Sequence, residues 1–303
     1  MFSAPAIPYL QIPELVLIPK GFFGGFPSGA FSIKPFGTLV AIGVYLGSFL
    51  ATRQGKRLGL DERVLTSFIA WIVGIGFLGG HMLDVIFYYP GQILRDPLSL
   101  FRIWEGLSSF GGFTGAIIGG FLWKWRYKSP ILPYTDVIVS AFPAAWVFGR
   151  SGCSVAHDHP GLASNAWFAV QYPGGGRFDL GLYEMLLTIP LALAFLWLRR
   201  KPRPWGFYVG AIAIAYAPVR FALDFLRVDA SIGDNGGGGL VAAVDPRYAG
   251  LTPAQWACFA LLTVGVYFFV RTLHAAGNPA AFAVPRPPRE LARRRARAVT
   301  PES

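Results

Sequence analysis

Thr252-Pro253-Ala254-Gln255-Trp256-Ala257-Cys258-Phe259-Ala260-Leu261-Leu262-Thr263-Val264-Gly265-Val266-Tyr267-Phe268-Phe269-Val270 contains no charged side chain, and none lies between Arg247 and Arg271. The hydrocarbon core of a bilayer, about 30 Å thick, takes roughly 17–25 mostly apolar residues per helix. This stretch is long enough. It opens on a capping box with proline at the first helical position, where the missing N–H costs nothing. The segment predicts a transmembrane helix with a defined start.

Runs of the same kind recur near 35–52, 64–89, 106–123, 133–150, 180–198 and 205–226, and the last lies at 252–270. Over the whole chain 53% of residues are hydrophobic and only 14% are charged. A soluble chain carries charge on about a quarter of its positions. The fold class expected is therefore an all-α integral membrane protein with about seven transmembrane helices. Gly111, Gly112, Gly115, Gly119 and Gly120 would let one of those helices approach another closely.

The net charge of +11 invites a nucleic-acid reading, which the distribution of the basic residues excludes. If the spans alternate from an outer start, one side holds Arg53, Lys56, Arg57 and Arg63; Lys124, Arg126 and Lys128; Arg199, Arg200, Lys201 and Arg203; and seven arginines from Arg271 to Arg297. These make eighteen, against seven on the other side: Lys20, Lys34, Arg95, Arg102, Arg177, Arg227 and Arg247. Cytoplasmic loops carry such an excess. The amino end is expected outside and the carboxyl end inside, with the lipid bilayer as the partner that explains the basic residues.

Three regions follow. Residues 1–33, rich in Pro, Gly and aromatics, are expected to form an outer (periplasmic) arm without the basic start of a signal peptide. Residues 34–274 form the membrane domain. Residues 275–303, with Pro285-Arg286-Pro287-Pro288 and Arg293-Arg294-Arg295, read as a basic, disordered cytoplasmic tail drawn to anionic lipid. Residues 234–239 read as a flexible outer loop. Cys153 and Cys258 do not read as a disulfide framework.

Ionisable groups within spans are costly, about 2.5–3.5 kcal/mol each on insertion scales, and mark function by default. His81, Asp84, Arg150, Glu184, Arg220 and Asp224 are of this kind. Arg220 and Asp224, four apart, also suit simple mutual neutralisation. His81 and Asp84 suit a structural pair, and Asp136 suits a helix start. The alternation of spans brings Arg150, the His157-Asp158-His159 loop, Glu184 and the stretch from Arg220 to Arg227 to one membrane depth on the outer side. Cations there suit an anionic head group, and carboxylates and imidazoles suit proton transfer. His157 and His159 lack a third and fourth ligand at recognisable spacing, so no metal is expected. No dinucleotide or phosphate-loop fingerprint is present, and no cofactor is expected.

Gly149-Arg150-Ser151-Gly152-Cys153-Ser154-Val155-Ala156-His157-Asp158-His159-Pro160-Gly161 resembles the G-R-x-G-N-F-hydrophobic-N-x-E-x-x-G hallmark of the prolipoprotein diacylglyceryl transferases, with Asp158 in place of Glu. Both asparagines and the phenylalanine of the hallmark are absent. Other segments resemble the same family in the same order. Gly79-Gly80-His81 through Phe87-Tyr88-Tyr89 resembles G-G-R…L-F-Y, and Trp104-Glu105-Gly106-Leu107-Ser108-Ser109-Phe110-Gly111-Gly112 resembles W-x-G-G-M-S-F-H-G-G. Leu182-Tyr183-Glu184 is similar to the end of H-P-S-Q-L-Y-E. Tyr216, Arg220, Asp224 and Arg227 fit Y-x-x-x-R-x-x-x-E-x-x-R, and Leu251-Thr252 with Gln255 is similar to L-T-x-x-Q. The likeness covers roughly residues 35–270. It departs at the family's H-G-G histidine, which falls on Phe110, a side chain that neither accepts a proton nor hydrogen-bonds.

The resemblance implies transfer of the diacylglyceryl group of phosphatidylglycerol to the lipobox cysteine of preprolipoproteins, at the outer face of a bacterial inner (cytoplasmic) membrane. Phosphatidylglycerol and preprolipoprotein signal peptides are then the partners. Arg150, Arg220 and Arg227 are expected to hold the phosphate, and Asp158, Glu184 and Asp224 to orient them. Tyr183 and Tyr216 would supply hydroxyls, and His157 or His159 would take the thiol proton. Ser108, Gly111 and Gly112 would let lipid approach a helix backbone. Two alternatives stay open: an enzyme of the same fold with another acceptor or lipid, and a transporter or non-catalytic lipid-binding scaffold.

Overall fold

The computed structural model describes residues 6–18, 31–88, 90–101, 108–228, 247–275, 277–288 and 291. The Trp104-Gly106 motif, the loop at 234–239 and the Arg293–Arg295 cluster lie outside them. The described residues are mostly helical. In chain order come β1 (Ile7–Pro8), β2 (Leu15–Ile18), β3 (Phe31–Ile33), α1 (Pro35–Arg57), α2 (Glu62–Tyr88), the short α3 (Pro90–Arg95), α4 (Ser109–Tyr127) and α5 (Leu132–Ala156). Then follow β4 (Pro160–Ala163), β5 (Val170–Tyr172), β6 (Gly175–Asp179), α6 (Leu180–Leu198), α7 (Phe207–Asp224) and α8 (Pro253–Ala275). Among the described residues five helices, α1, α2, α6, α7 and α8, are long and apolar enough to cross a membrane. This is an all-α membrane protein carrying a small sheet.

Each expected span has a helix, and the differences at the ends have local causes. The α4 helix starts where Ser108 caps it, its hydroxyl accepting from Gly111 N at 3.4 Å. It outlasts its apolar run because Lys124, Arg126 and Tyr127 extend it until Lys128 turns left-handed (φ 49°). The α5 helix continues through Arg150 to Ala156, because that charge is paired rather than solvated. The α8 cap is as read: Thr252 Oγ1 accepts from Gln255 N at 3.2 Å, and Gln255 Oε1 accepts from Thr252 N at 3.0 Å.

The chain divides into two compact units, Met1–Phe49 with Val139–Gly277, and Leu50–Ile138 with Asn278–Ser303. In the second, α2 packs along α4 through the expected glycine stripe. Gly111, Gly115 and Gly119 are buried, and a Cβ on Gly115 would lie 2.4 Å from the Ile75 carbonyl oxygen. Phe110, Phe113, Ile117 and Phe121 on the same helix are exposed, as lipid-facing residues would be. Phe68, Trp123 and Tyr134 form its aromatic centre. His81 is fully buried and donates from Nε2 to the Ser99 carbonyl at 3.0 Å. The segment after 275, expected to lack structure, carries a 3-10 turn at Pro279–Phe282 capped by Asn278.

In the first unit, Gly210 of α7 and Gly265 of α8 allow the same kind of close packing. Between α5 and α6 the chain forms a sheet of order β1-β5-β6-β4 that was not read in the sequence. β1 joins β5 in parallel, Ile7 opposite Val170, and β5 and β6 form an antiparallel hairpin. Strands of two to five residues interrupted by Pro and Gly give no alternation long enough to recognise.

Candidate functional site

All the polar groups considered next belong to the first unit. Arg150 lies near the end of α5, buried, with Nε 3.0 Å from Glu184 Oε1. Its guanidinium sits 4.5 Å from the centre of the Trp146 ring, one turn back. Glu184, in the second turn of α6, also accepts from the Tyr216 hydroxyl of α7. One carboxylate thus ties three helices together.

Asp224, at the end of α7, forms the second node. It is fully buried, accepts from Arg220 Nη1 at 2.5 Å and from the Thr252 hydroxyl, and forms an ion pair with Arg227, whose Nε is 3.1 Å away. The α8 cap is therefore part of the site. Thr252 uses one hydroxyl to cap its own helix and to hold Asp224, while Gln255 Nε2 donates to the Phe221 carbonyl at 3.2 Å. Arg227 also places its backbone opposite Gly161 in an antiparallel bridge, joining α7 to the sheet. Three guanidiniums accompany two buried carboxylates. The side chains of Arg220 and Arg227 keep 16% and 22% exposure, so an anion can reach them.

The two loop histidines separate. His157 closes α5 with a left-handed backbone (φ 50°) and turns its ring inward. Nδ1 lies 2.7 Å from Asp179 Oδ2, Nε2 lies 3.1 Å from the Leu10 carbonyl, and Tyr9 stacks on the ring at 4.0 Å. Both ring nitrogens are thus engaged within the protein. His159 is placed differently. Its Nδ1 is 2.5 Å from Asp158 Oδ1, and both side chains are partly exposed. The turn at His157 also brings this pair back beside Cys153: one ligand atom from each of Cys153, Asp158 and His159 lies within 4.8 Å of the others. Arg150 Nη1 is 3.7 Å from Cys153 Sγ.

Asp179 was missed by the sequence reading. It caps α6 by accepting from Leu182 N at 2.9 Å, receives the Tyr172 hydroxyl at 2.9 Å, and pairs with His157, all while fully buried. Burial, then the neighbouring Asp179 charge, pushes the Tyr172 phenol well above its usual range. An Asp immediately before the apolar run from Leu180 is a capping signal that could have marked it. Tyr183, expected to offer a hydroxyl to substrate, donates instead to the Phe168 carbonyl at 2.7 Å. Ser108, Gly111 and Gly112 lie in the second unit; Gly111 packs against Gly79, whereas a Cβ on Gly112 would enter open space. Phe110, at the family's histidine position, is 66% exposed.

A family model described as prolipoprotein diacylglyceryl transferase matches residues 25–271. Curated relatives named phosphatidylglycerol–prolipoprotein diacylglyceryl transferase are similar over most of their length. The protein of Vibrio parahaemolyticus is 31% identical over 240 residues, 76% of this chain and 85% of the relative. That of Actinobacillus pleuropneumoniae is 32% identical over 214 residues, 67% and 79%. That of Roseobacter denitrificans is 27% identical over 280 residues, 81% and 95%.

Proposed function

The chain belongs to the prolipoprotein diacylglyceryl transferase family, and we propose that it moves the diacylglyceryl group of phosphatidylglycerol onto the cysteine thiol of a preprolipoprotein, leaving glycerol phosphate. The observation that carries this reading is the arginine cluster at the ends of α5 and α7. Arg150, Arg220 and Arg227 are held by Glu184 and Asp224, which are themselves buried.

The reaction breaks a carbon–oxygen bond, and negative charge grows on the departing phosphate. Guanidiniums already fixed by carboxylates stabilise that charge without reorganising during the step. Arg220 and Arg227, whose side chains stay partly exposed, present their guanidiniums to the phosphate oxygens. Arg150, more deeply buried, holds Glu184 in place, and through it Tyr216. The nucleophile is a thiol with an ordinary pKa of about 8.5, so it must be activated. With Phe110 at the family's histidine position, activation of the thiol is assigned to the His159–Asp158 pair.

In this reading the chain has seven spans with the amino end outside and the arginine cluster on the outer side of a bacterial inner membrane; the excess of basic residues on the opposite side supports that orientation. The tail beyond α8 then lies in the cytoplasm. Phe110 gives one reason to keep a second reading, the same fold with a different acceptor. A serine analogue of the lipobox peptide, competed against the cysteine form, separates the two.

The direct test mixes purified chain, phosphatidylglycerol and a synthetic lipobox peptide, and looks by mass spectrometry for a diacylglyceryl adduct on the cysteine. The expected result is an adduct that disappears with Arg220→Ala. No adduct from folded protein overturns the proposal.

A further inference from the structure

Residue spacing alone offers the two loop histidines no further metal ligand. The fold supplies one from the last turn of α5. The left-handed turn at His157 reverses the chain so that Asp158 and His159 return to Cys153, five and six residues before them. The donor set is one thiol, one carboxylate and one imidazole, with a ligand atom from each inside 4.8 Å. Tetrahedral zinc is bound by these donor types, and catalytic zinc sites use three protein ligands and leave the fourth position open. Cys153 is buried, whereas the side chains of His159 and Asp158 are 26% and 41% exposed, so the open position faces outward. Arg150 Nη1 lies 3.7 Å from Sγ and holds the sulfur in place beside the other two donors.

We propose that Cys153, Asp158 and His159 bind a zinc ion whose open position receives the acceptor thiol. The inference rests on the transferase reading and supplies an activation that Phe110 cannot. Coordination releases the thiol proton to solvent, and the sulfur keeps the electron pair. That pair forms the bond to the glyceryl carbon, the carbon–oxygen bond breaks, and its electrons leave on the phosphate oxygen held by Arg220 and Arg227. The products are a thioether and glycerol phosphate. A neutral thioether binds the metal more weakly than a thiolate, which frees the position again. In this arrangement His159 and Asp158 act as ligands and lower the thiol's hold on its proton through the metal, rather than by accepting the proton themselves.

The test uses full-length protein in detergent, stripped with a chelator and titrated with Co²⁺ as a spectroscopic probe. A sulfur-to-cobalt charge-transfer band is expected at one equivalent per chain. Cys153→Ser should abolish the band, and His159→Asn should weaken Co²⁺ binding by more than about tenfold. Cys258→Ser, which changes the other free cysteine, should leave the band intact. Circular dichroism establishes that each variant is folded. A folded protein without the band, or a band that survives Cys153→Ser, overturns the site. Adduct formation by metal-free protein at the metal-loaded rate overturns its role in activation and leaves the transferase reading standing. A metal-loaded protein that forms no adduct overturns the transferase reading instead.

Discussion

Asp224→Asn is the perturbation that separates an arginine site built for a phosphate from one that merely neutralises itself. The substitution keeps the shape of the side chain and an oxygen for the Thr252 hydroxyl, but it removes the charge facing Arg220 at 2.5 Å and Arg227 at 3.1 Å. Removing one partner of a buried ion pair costs about 3–5 kcal/mol. Here the aspartate is fully buried while the arginines keep 16% and 22% exposure, so solvent relieves part of the loss and about 2–3 kcal/mol is expected. If the same disorder reaches the transition state, the rate falls about 30–150-fold, since each 1.36 kcal/mol is a factor of about ten. The assay is adduct formation with phosphatidylglycerol vesicles and a lipobox peptide, for Asp224→Asn, Arg220→Ala and the double variant. Groups acting as one unit are non-additive, so the double variant should be little worse than the poorer single one. A rate within about threefold of the parent, or two effects that multiply, refutes the reasoning.

Glu184→Gln leaves Arg150 buried beside a neutral partner. A loss of about 3–5 kcal/mol in unfolding free energy is expected, and Arg150→Met in the same chain should recover part of it but no activity. Thr252→Val removes both the α8 cap and a donor to Asp224, whereas Thr252→Ser keeps both; lipid titration should show a raised KM for phosphatidylglycerol in the first and near-parent values in the second. Asp179→Ala should cost about 1 kcal/mol for the α6 cap, and more for the stranded His157 and Tyr172, read as a lowered thermal midpoint in detergent. Gly115→Val places a side chain where the Ile75 carbonyl already lies, 2.4 Å from the new Cβ, and should sharply reduce the yield of folded protein.

The helices were legible because a bilayer demands length and apolarity, both local properties. The span read at 180–198 coincides with α6, and the capping box before α8 has its expected hydrogen bonds. The convergence of Arg150, Glu184, Arg220 and Asp224 was legible as well, because helices that alternate in direction fix the depth of a residue. Which histidine faces the site was not legible. Positions 157 and 159, two apart, differ only in the side to which a left-handed turn sends each ring, and the partners that hold His157, Leu10 and Asp179, are far off in the chain. Cys153 escaped notice for a related reason. Its neighbours Asp158 and His159 read as loop residues until α5 is seen to run past Arg150 to Ala156. The sheet was missed because its strands are short and its first strand pairs across more than 160 residues of sequence.

That last pairing has a consequence for how the protein is made. Leu10 hands its carbonyl to a histidine 147 positions later, and the ring is set by Asp179 beyond it. Ribosomes add about 5–20 residues per second, so the first strand is synthesised on the order of ten seconds before the hairpin that receives it. Until then the opening segment has nothing to pair with. The sheet closes only after the fourth of the long helices has been made, so a nascent chain arrested before Asp179 should show this strand open to proteases while its first helices are already formed.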